Sequence, residues 1–236
     1  MPQFFVKASD IEGTLCTIRG RDIRHIAAVR RVRPGDVIVV RDDSGRAMEA
    51  RVRRITPDAI EAEIFGLLPV RREPVDITCY LCLLKGGRFD LAVEKTAEAG
   101  VSRIVPVISE RVVPRPDPSR VSRWARKAEE AAKQCLRPSI PTVGPITGFA
   151  EVIGMDAERT RIIAHPGSST KMKELLRSRK PEPASLLIGP EGGFSNSEVA
   201  AAEDAGWTPV DFGFTQLRAE TAAALLCGII VYEWSD

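Results

Sequence analysis

One stretch constrains the fold more than any other: Leu187-Ile188-Gly189-Pro190-Glu191-Gly192-Gly193-Phe194-Ser195-Asn196-Ser197-Glu198. The apolar run over 185–188 reads as a buried strand. Gly189 and Pro190 end it, and Gly192-Gly193 opens backbone conformations closed to residues that carry a Cβ. Ser195 with Glu198 three residues on is a capping box, so a helix begins there. The order strand, glycine turn, helix start leaves free N–H groups at the carboxyl end of a strand, where open α/β sheets bind ligands. An ordinary tight strand-to-helix connection has the same local pattern. The loop lacks the Lys-Ser/Thr of a P-loop and does not match G-x-G-x-x-G. Glu191 would also repel a phosphate, so ATP and NAD fit poorly.

The flanking sequence alternates. Strand candidates cover 75–84, 103–108, 161–164, 185–188 and 208–212, and helices cover 89–99, 117–136, 169–177, the segment after Ser195 and 218–233. Gly100 stops the first helix and Asp117-Pro118 opens the second. Buried apolar strands separated by helices specify a parallel sheet covered on both faces. Residues 1–70 read differently. Short strands at 4–6, 13–18, 36–41, 47–55 and 59–68 are separated by turns such as Pro34-Gly35-Asp36 and Asp42-Asp43-Ser44-Gly45, with one helix over 21–32. That set suggests a closed or nearly closed barrel. The segment 69–74 reads as a linker, so two domains are expected, 1–70 and 74–236.

Composition bounds the rest. A hydrophobic share of 44% and a charged share of 28% suit a soluble globular protein. No apolar run is long enough to span a membrane, and the start lacks the order of a signal peptide, so the cytoplasm is the expected location. Cys16, Cys79, Cys82, Cys135 and Cys227 read as reduced core thiols. Cys79 and Cys82 lie three apart on one strand and point to opposite faces, which argues against a shared metal. Net charge is only +2, but residues 1–72 hold 14 Lys+Arg against 10 Asp+Glu. Arg19, Arg21, Arg24, Arg30, Arg31 and Arg33 form a basic run with His25, the footprint of a phosphate-backbone contact or of a solvated charged face. Residues 111–137 add eight Lys+Arg against three Asp+Glu. There Arg120, Arg123, Arg126, Lys127 and Lys133 flank an apolar stripe of Val121, Trp124, Ala128, Ala131 and Cys135, a second place for salt-sensitive RNA contact.

A second turn, Phe212-Gly213-Phe214-Thr215-Gln216-Leu217-Arg218-Ala219-Glu220-Thr221-Ala222, again follows a strand and again leads into a helix. Gly-Pro-Glu-Gly-Gly-Phe-Ser followed by Leu-Arg-Ala-Glu-Thr-Ala resembles the SPOUT-class RNA methyltransferases. Within them it is similar to the RsmE family, which methylates N3 of one uridine in small-subunit rRNA. The run from His25 to Asp36 resembles that family's N-terminal signature. Two places depart: Phe212-Gly213 and Phe214-Thr215-Gln216-Leu217-Arg218 stand where Leu-Gly and an Arg-Ile-Leu-Arg run are usual, with the glycine and Arg218 matching, and Gln3 stands where arginine often precedes Phe-Phe.

The resemblance implies a SPOUT-type trefoil-knotted parallel sheet with helices on both faces, preceded by a small PUA-like β-barrel domain. It implies S-adenosylmethionine, 16S rRNA of the small ribosomal subunit as substrate, and a homodimer. The cofactor pocket would be lined by Ala164 and His165, by Ile188, Gly189, Pro190, Glu191, Gly192 and Gly193, and by Phe212, Gly213, Leu217, Arg218 and Ala222. Ile188, Phe212 and Leu217 could sandwich the adenine. Glu191 could hold a ribose hydroxyl or cap its own turn. Transfer to uracil N3 requires loss of its proton, and a cation would stabilise the anion formed. Arg218 is the first choice for that cation, with Glu220 to orient it. Arg88, Lys95 and Glu98 form a second set of catalytic candidates. Two other readings remain: an RNA-binding ribosome-assembly factor that keeps the fold, and a methyltransferase acting on another RNA.

Overall fold

The computed structural model describes every residue except 20–22, 24–31, 70–72, 158, 214 and 236. The helix expected over 21–32 lies outside the described residues, apart from Ile23 and Val32, which are both buried. The chain divides into two compact units. One is Met1–Arg72 with Lys133–Ser139, and the other is Glu73–Ala132 with Ile140–Asp236.

The first unit is a six-stranded sheet. Its strands are β1 (Gln3–Val6), β2 (Ile11–Glu12), β3 (Leu15–Arg19), β4 (Val37–Asp42), β5 (Ala47–Ile55) and β6 (Ala59–Leu68). They pair in the order β1-β4-β5-β6-β3-β2, and all pairs are antiparallel except β1 with β4. Register shifts at Glu49/Ala50 and Val52/Arg54 mark bulges, which bend and twist a strand pair. Period-2 alternation turns Cys16, Ile18, Ile38, Val40, Ala50, Val52, Ile60 and Ala62 into one core. Gln3, at the departure from the family pattern, is buried. Its amide donates to the Arg137 carbonyl at 2.7 Å and its carbonyl accepts from Arg41 Nε at 3.1 Å, so it braces the returning segment 133–139.

The second unit is built on a parallel sheet. Strands β7 (Ile77–Cys82), β8 (Arg103–Ile108), β10 (Thr147–Gly148), β11 (Thr160–Ala164), β12 (Ala184–Ile188) and β13 (Thr208–Val210) run in the order β10-β8-β7-β12-β11-β13, and β9 (Thr142–Val143) also pairs with β8. Helices α1 (Arg88–Glu98), α2 (Val121–Gln134), α3 (Phe149–Val152), α4 (Met172–Arg177), α5 (Asn196–Asp204) and α6 (Ala219–Trp234) intervene. Each strand residue faces one of two cores. Ile77, Cys79, Leu81, Leu186 and Ile188 pack with Phe89, Trp124, Leu176 and Leu226 on one side. Tyr80, Cys82, Leu187 and Ile163 pack with Phe149, Phe194 and Val199 on the other. Both faces are therefore covered, which is why the strands read as unbroken apolar runs. Cys79 and Cys82 fall on opposite sides of the sheet.

Several elements differ from expectation. The strand expected over 75–84 spans Ile77–Cys82, although Leu83 and Leu84 stay buried. The strand expected over 208–212 ends at Val210 because the Asp211 backbone turns aside to bond Thr170 and Met172. The helix expected from Ser169 begins at Met172. β9, β10 and α3 were not anticipated, since elements of two to four residues carry no usable period. Cys135 is exposed rather than in a core. α6 carries apolar residues on nearly every side, yet Leu225 is 40% and Tyr232 81% exposed. No helix among the described residues is long and apolar enough to cross a membrane.

Candidate active site

Three neighbouring strands, β12, β11 and β13, end on the same side of the sheet because all pairings are parallel. Their turns surround a cleft of about 620 Å³. Ala164, His165 and Pro166 come from the first turn, the run from Ile188 through Phe194 from the second, and Phe212, Thr215, Gln216, Leu217 and Arg218 from the third. Ala219, Ala222 and Leu226 of α6 form an apolar wall, with Val210 and Asp211 beside it. Arg88, Arg111 and Asn196 complete the lining.

The glycine turn has its shape for local reasons. Gly193 N–H donates to the Pro190 carbonyl at 2.8 Å, and Gly193 takes φ of +65°, which L side chains rarely adopt. A Cβ on Gly189 would lie 3.1 Å from the Phe194 ring, so only glycine lets the chain pass there unstrained. The turn runs into α5, which Ser195 caps. Ser195 Oγ accepts from Glu198 N–H at 3.3 Å and Ser195 N–H donates to Glu198 Oε2 at 2.9 Å.

Side chains from distant loops hold this turn. Glu110 N–H donates to Glu198 Oε1 at 2.8 Å and Glu110 Oε2 accepts from Ser195 Oγ at 2.7 Å. Arg111 Nη1 donates to the carbonyls of Gly192 and Phe194 at 2.9 and 3.3 Å. Glu191 Oε1 accepts from Lys85 N–H at 2.9 Å and from Arg88 Nη1 at 3.3 Å. Glu191 thus caps the loop before α1 rather than its own turn. Asp211 ties the other two turns. The Lys171 ammonium beside it holds its carboxyl below the usual carboxylate range, with help from the amides of Gly213 and Gly167.

The expected site residues divide. Ala164, His165, Ile188, Gly189, Pro190, Glu191, Gly192, Gly193, Phe212, Leu217, Arg218, Ala222 and Arg88 all line the cleft. Gly213 sits in the third turn but outside the lining, its N–H 3.4 Å from Asp211 Oδ1. Arg218 is the N-cap residue of α6, is exposed, and makes no side-chain hydrogen bond or ion pair among the described residues. Glu220 does not bond it; Glu220 is buried, and its Oε2 has no hydrogen-bond partner among the described residues. Lys95 and Glu98 lie outside the lining, where Lys95 pairs with Glu94 at 3.1 Å and Glu98 at 2.9 Å.

Of the basic run, Arg21, Arg24, His25, Arg30 and Arg31 lie outside the described residues. Arg19 pairs with Asp10 at 3.3 Å, and Arg33 is exposed. On α2, Arg123 pairs with Asp90 and Lys127 with Glu94, so part of that basic face is already matched. Sequence reading missed Arg111, Glu110, Lys171 and Asp211. An acid followed by Phe-Gly at a strand end was the only local signal among them.

A family profile for RNA methyltransferase domains matches residues 71–231, and one for the PUA domain of RNA methyltransferases matches 18–65. Fold and cleft therefore define a SPOUT-class RNA methyltransferase domain, a parallel sheet flanked by helices, with a PUA-like unit before it. The Ribosomal RNA small subunit methyltransferase E of Mycobacterium bovis is 28% identical, over 96% of this chain and 90% of its own. That of Bacillus subtilis is 25% identical, over 99% and 97%. The crystal structure of the Neisseria gonorrhoeae enzyme of that name, bound to S-adenosyl methionine, is 32% identical, covers 100% of this chain and 99% of its own, and superposes with a TM-score of 0.88. The chain belongs to the ribosomal RNA small subunit methyltransferase E family.

Proposed function

We propose that this chain methylates N3 of one uridine of 16S rRNA, with S-adenosylmethionine as methyl donor. The observation that carries the proposal is the convergence of three turns after β11, β12 and β13 on one cleft. The cofactor supplies a methyl group on a sulfonium, and the residues present fit it. Ile188, Phe212 and Leu217 give apolar contact for an adenine. Gly193, with φ of +65° and nothing within 4 Å of where a Cβ would stand, leaves the backbone of the turn open to close approach. The SAM-bound relative shares the fold over nearly its whole length.

The chain's own residues then do three things. The turns fix the methyl donor relative to the base, which is a positioning task. Arg218, at the start of α6 and unmatched by a carboxylate, stabilises the uracil anion that remains when N3 loses its proton. Arg88, held by Glu191, is a second cation at the same cleft. The base must leave its stack to enter. Residues 1–70 act as the RNA-holding domain through Arg19, the run 21–33 and His25, while 74–236 carry the chemistry. The exposed Leu225 and Tyr232 of α6, with half-buried Ile229 between them, support a homodimer, and a ribosomal RNA substrate supports a location in the cytoplasm.

The test is transfer of labelled methyl from S-adenosylmethionine to small ribosomal subunits from a strain lacking the modification. Label in 3-methyluridine of 16S rRNA is expected. Cofactor and rRNA binding without transfer would point to an assembly factor, and label in another nucleoside to a different target.

A further inference from the structure

We propose that Arg111 forms a phosphodiester-binding subsite for the RNA strand at the rim of the cleft. This rests on the methyltransferase reading above. Five ionic residues line the cleft: Arg88, Arg111, Arg218, Glu191 and Asp211. Glu191 is matched by Arg88, and Asp211 by Lys171. Arg111 and Arg218 remain without a carboxylate among the described residues. Arg218 stands at the start of α6, whereas Arg111 is fixed to the glycine turn.

The way Arg111 is fixed is what points to a ligand. Its Nη1 is spent on two neutral carbonyls, of Gly192 and Phe194. The guanidinium is therefore oriented, and its stem rests on Gly192, but its charge is not compensated. The remaining N–H groups have no partner among the described residues, and the residue is exposed. A preoriented guanidinium fork with residual donors matches the geometry of a phosphate. The sequence argument against phosphate near this turn was the charge of Glu191. Its ion pair with Arg88, one residue from Gly192, removes that objection. The alternative anion is the carboxylate of the methionine moiety of S-adenosylmethionine. That molecule carries a net positive charge, so a net positive rim favours the RNA.

The test compares Arg111→Gln and Arg111→Lys with wild type in two titrations. Both side chains are shorter than arginine and give up the Nη1 bonds to Gly192 and Phe194; Gln also loses the charge, and Lys keeps it. Calorimetry with S-adenosylmethionine is expected to give dissociation constants within about twofold of each other for the two variants, because both lose the same brace on the turn and only Gln loses the charge. Binding of unmethylated 16S rRNA, titrated with KCl, is expected to lose about 0.7 from the slope of log K against log salt in R111Q only, one single-strand phosphate contact. At 0.1 M salt this is roughly fivefold weaker binding. An unchanged slope in R111Q, or loss of S-adenosylmethionine binding in R111Q that R111K restores, overturns the proposal. If R111Q does not fold, modification of Arg111 by phenylglyoxal in the wild-type protein decides. Protection by rRNA and not by S-adenosylmethionine is expected, and the reverse overturns it. Failure of the wild-type protein to methylate rRNA would instead sink the underlying reading.

Discussion

Arg218 and Gly189 show how far single residues carry this account. Arg218 caps a helix with its backbone while its side chain stays unengaged in the cleft. Removing a cation aimed at developing charge typically costs 10²- to 10³-fold in turnover. Arg218→Ala is therefore expected to lower kcat by roughly that factor, with a smaller effect on S-adenosylmethionine affinity, measured by single-turnover methyl transfer and calorimetry. Gly189→Ala acts on packing. Its Cβ would meet the Phe194 ring at 3.1 Å and Gly193 Cα at 3.3 Å. Overpacking of this kind costs about 1–3 kcal/mol. Thermal melts are expected to show that loss, together with weaker cofactor binding, because Phe194 cannot move without moving the turn. Gly189, Gly193 and Arg218 were legible because their signals are local, a glycine turn and a helix start. Arg111 was not, since its partners lie more than 80 residues away in sequence and a loop arginine carries no period.

Among elements, the junction of β13 with the loop that follows it sets the third side of the cleft. Asp211 joins the turn after β11 to the turn after β13 and pairs with Lys171. Its pKa lies below the ordinary 3.8, chiefly because of the hydrogen bond from Lys171. A depressed carboxylate contributes stability that is complete above its ordinary value and is lost as pH falls through the folded value. The melting temperature of wild type is thus expected to exceed that of Asp211→Asn by a margin that opens between about pH 2 and pH 5 and is flat from there to about pH 8. A gap independent of pH throughout would contradict the pairing. Element boundaries show the same division between local and distant causes. β5 and β6 run over the residues their alternation indicated, and the Ser195–Glu198 box caps α5 as read. β13 stops two residues early because Asp211 finds partners in the loop at Thr170 and Met172, which no window of sequence reveals.

For the whole molecule, alternation of buried strands and helices was enough to specify a parallel sheet, and the run of short strands before it was enough to set off a β unit. What alternation could not give is strand order. β12 lies between β7 and β11 although the whole stretch from 83 to 183 separates it from β7, and the knotted path of the class is likewise a property of the route through space. Nor did it give the open stripe on α6, because an all-apolar helix looks the same whether covered by its own chain or by a second copy. A homodimer through that stripe predicts that Leu225→Glu with Tyr232→Glu yields a monomer by light scattering, without loss of helix content by circular dichroism. The central claim is that the turns after β11, β12 and β13 together hold S-adenosylmethionine. Its most direct test is a crystal structure of the protein grown with that molecule. We predict cofactor density inside the cleft, its adenine against Ile188, Phe212 and Leu217; density elsewhere, or binding that survives disruption of all three turns, would contradict the account.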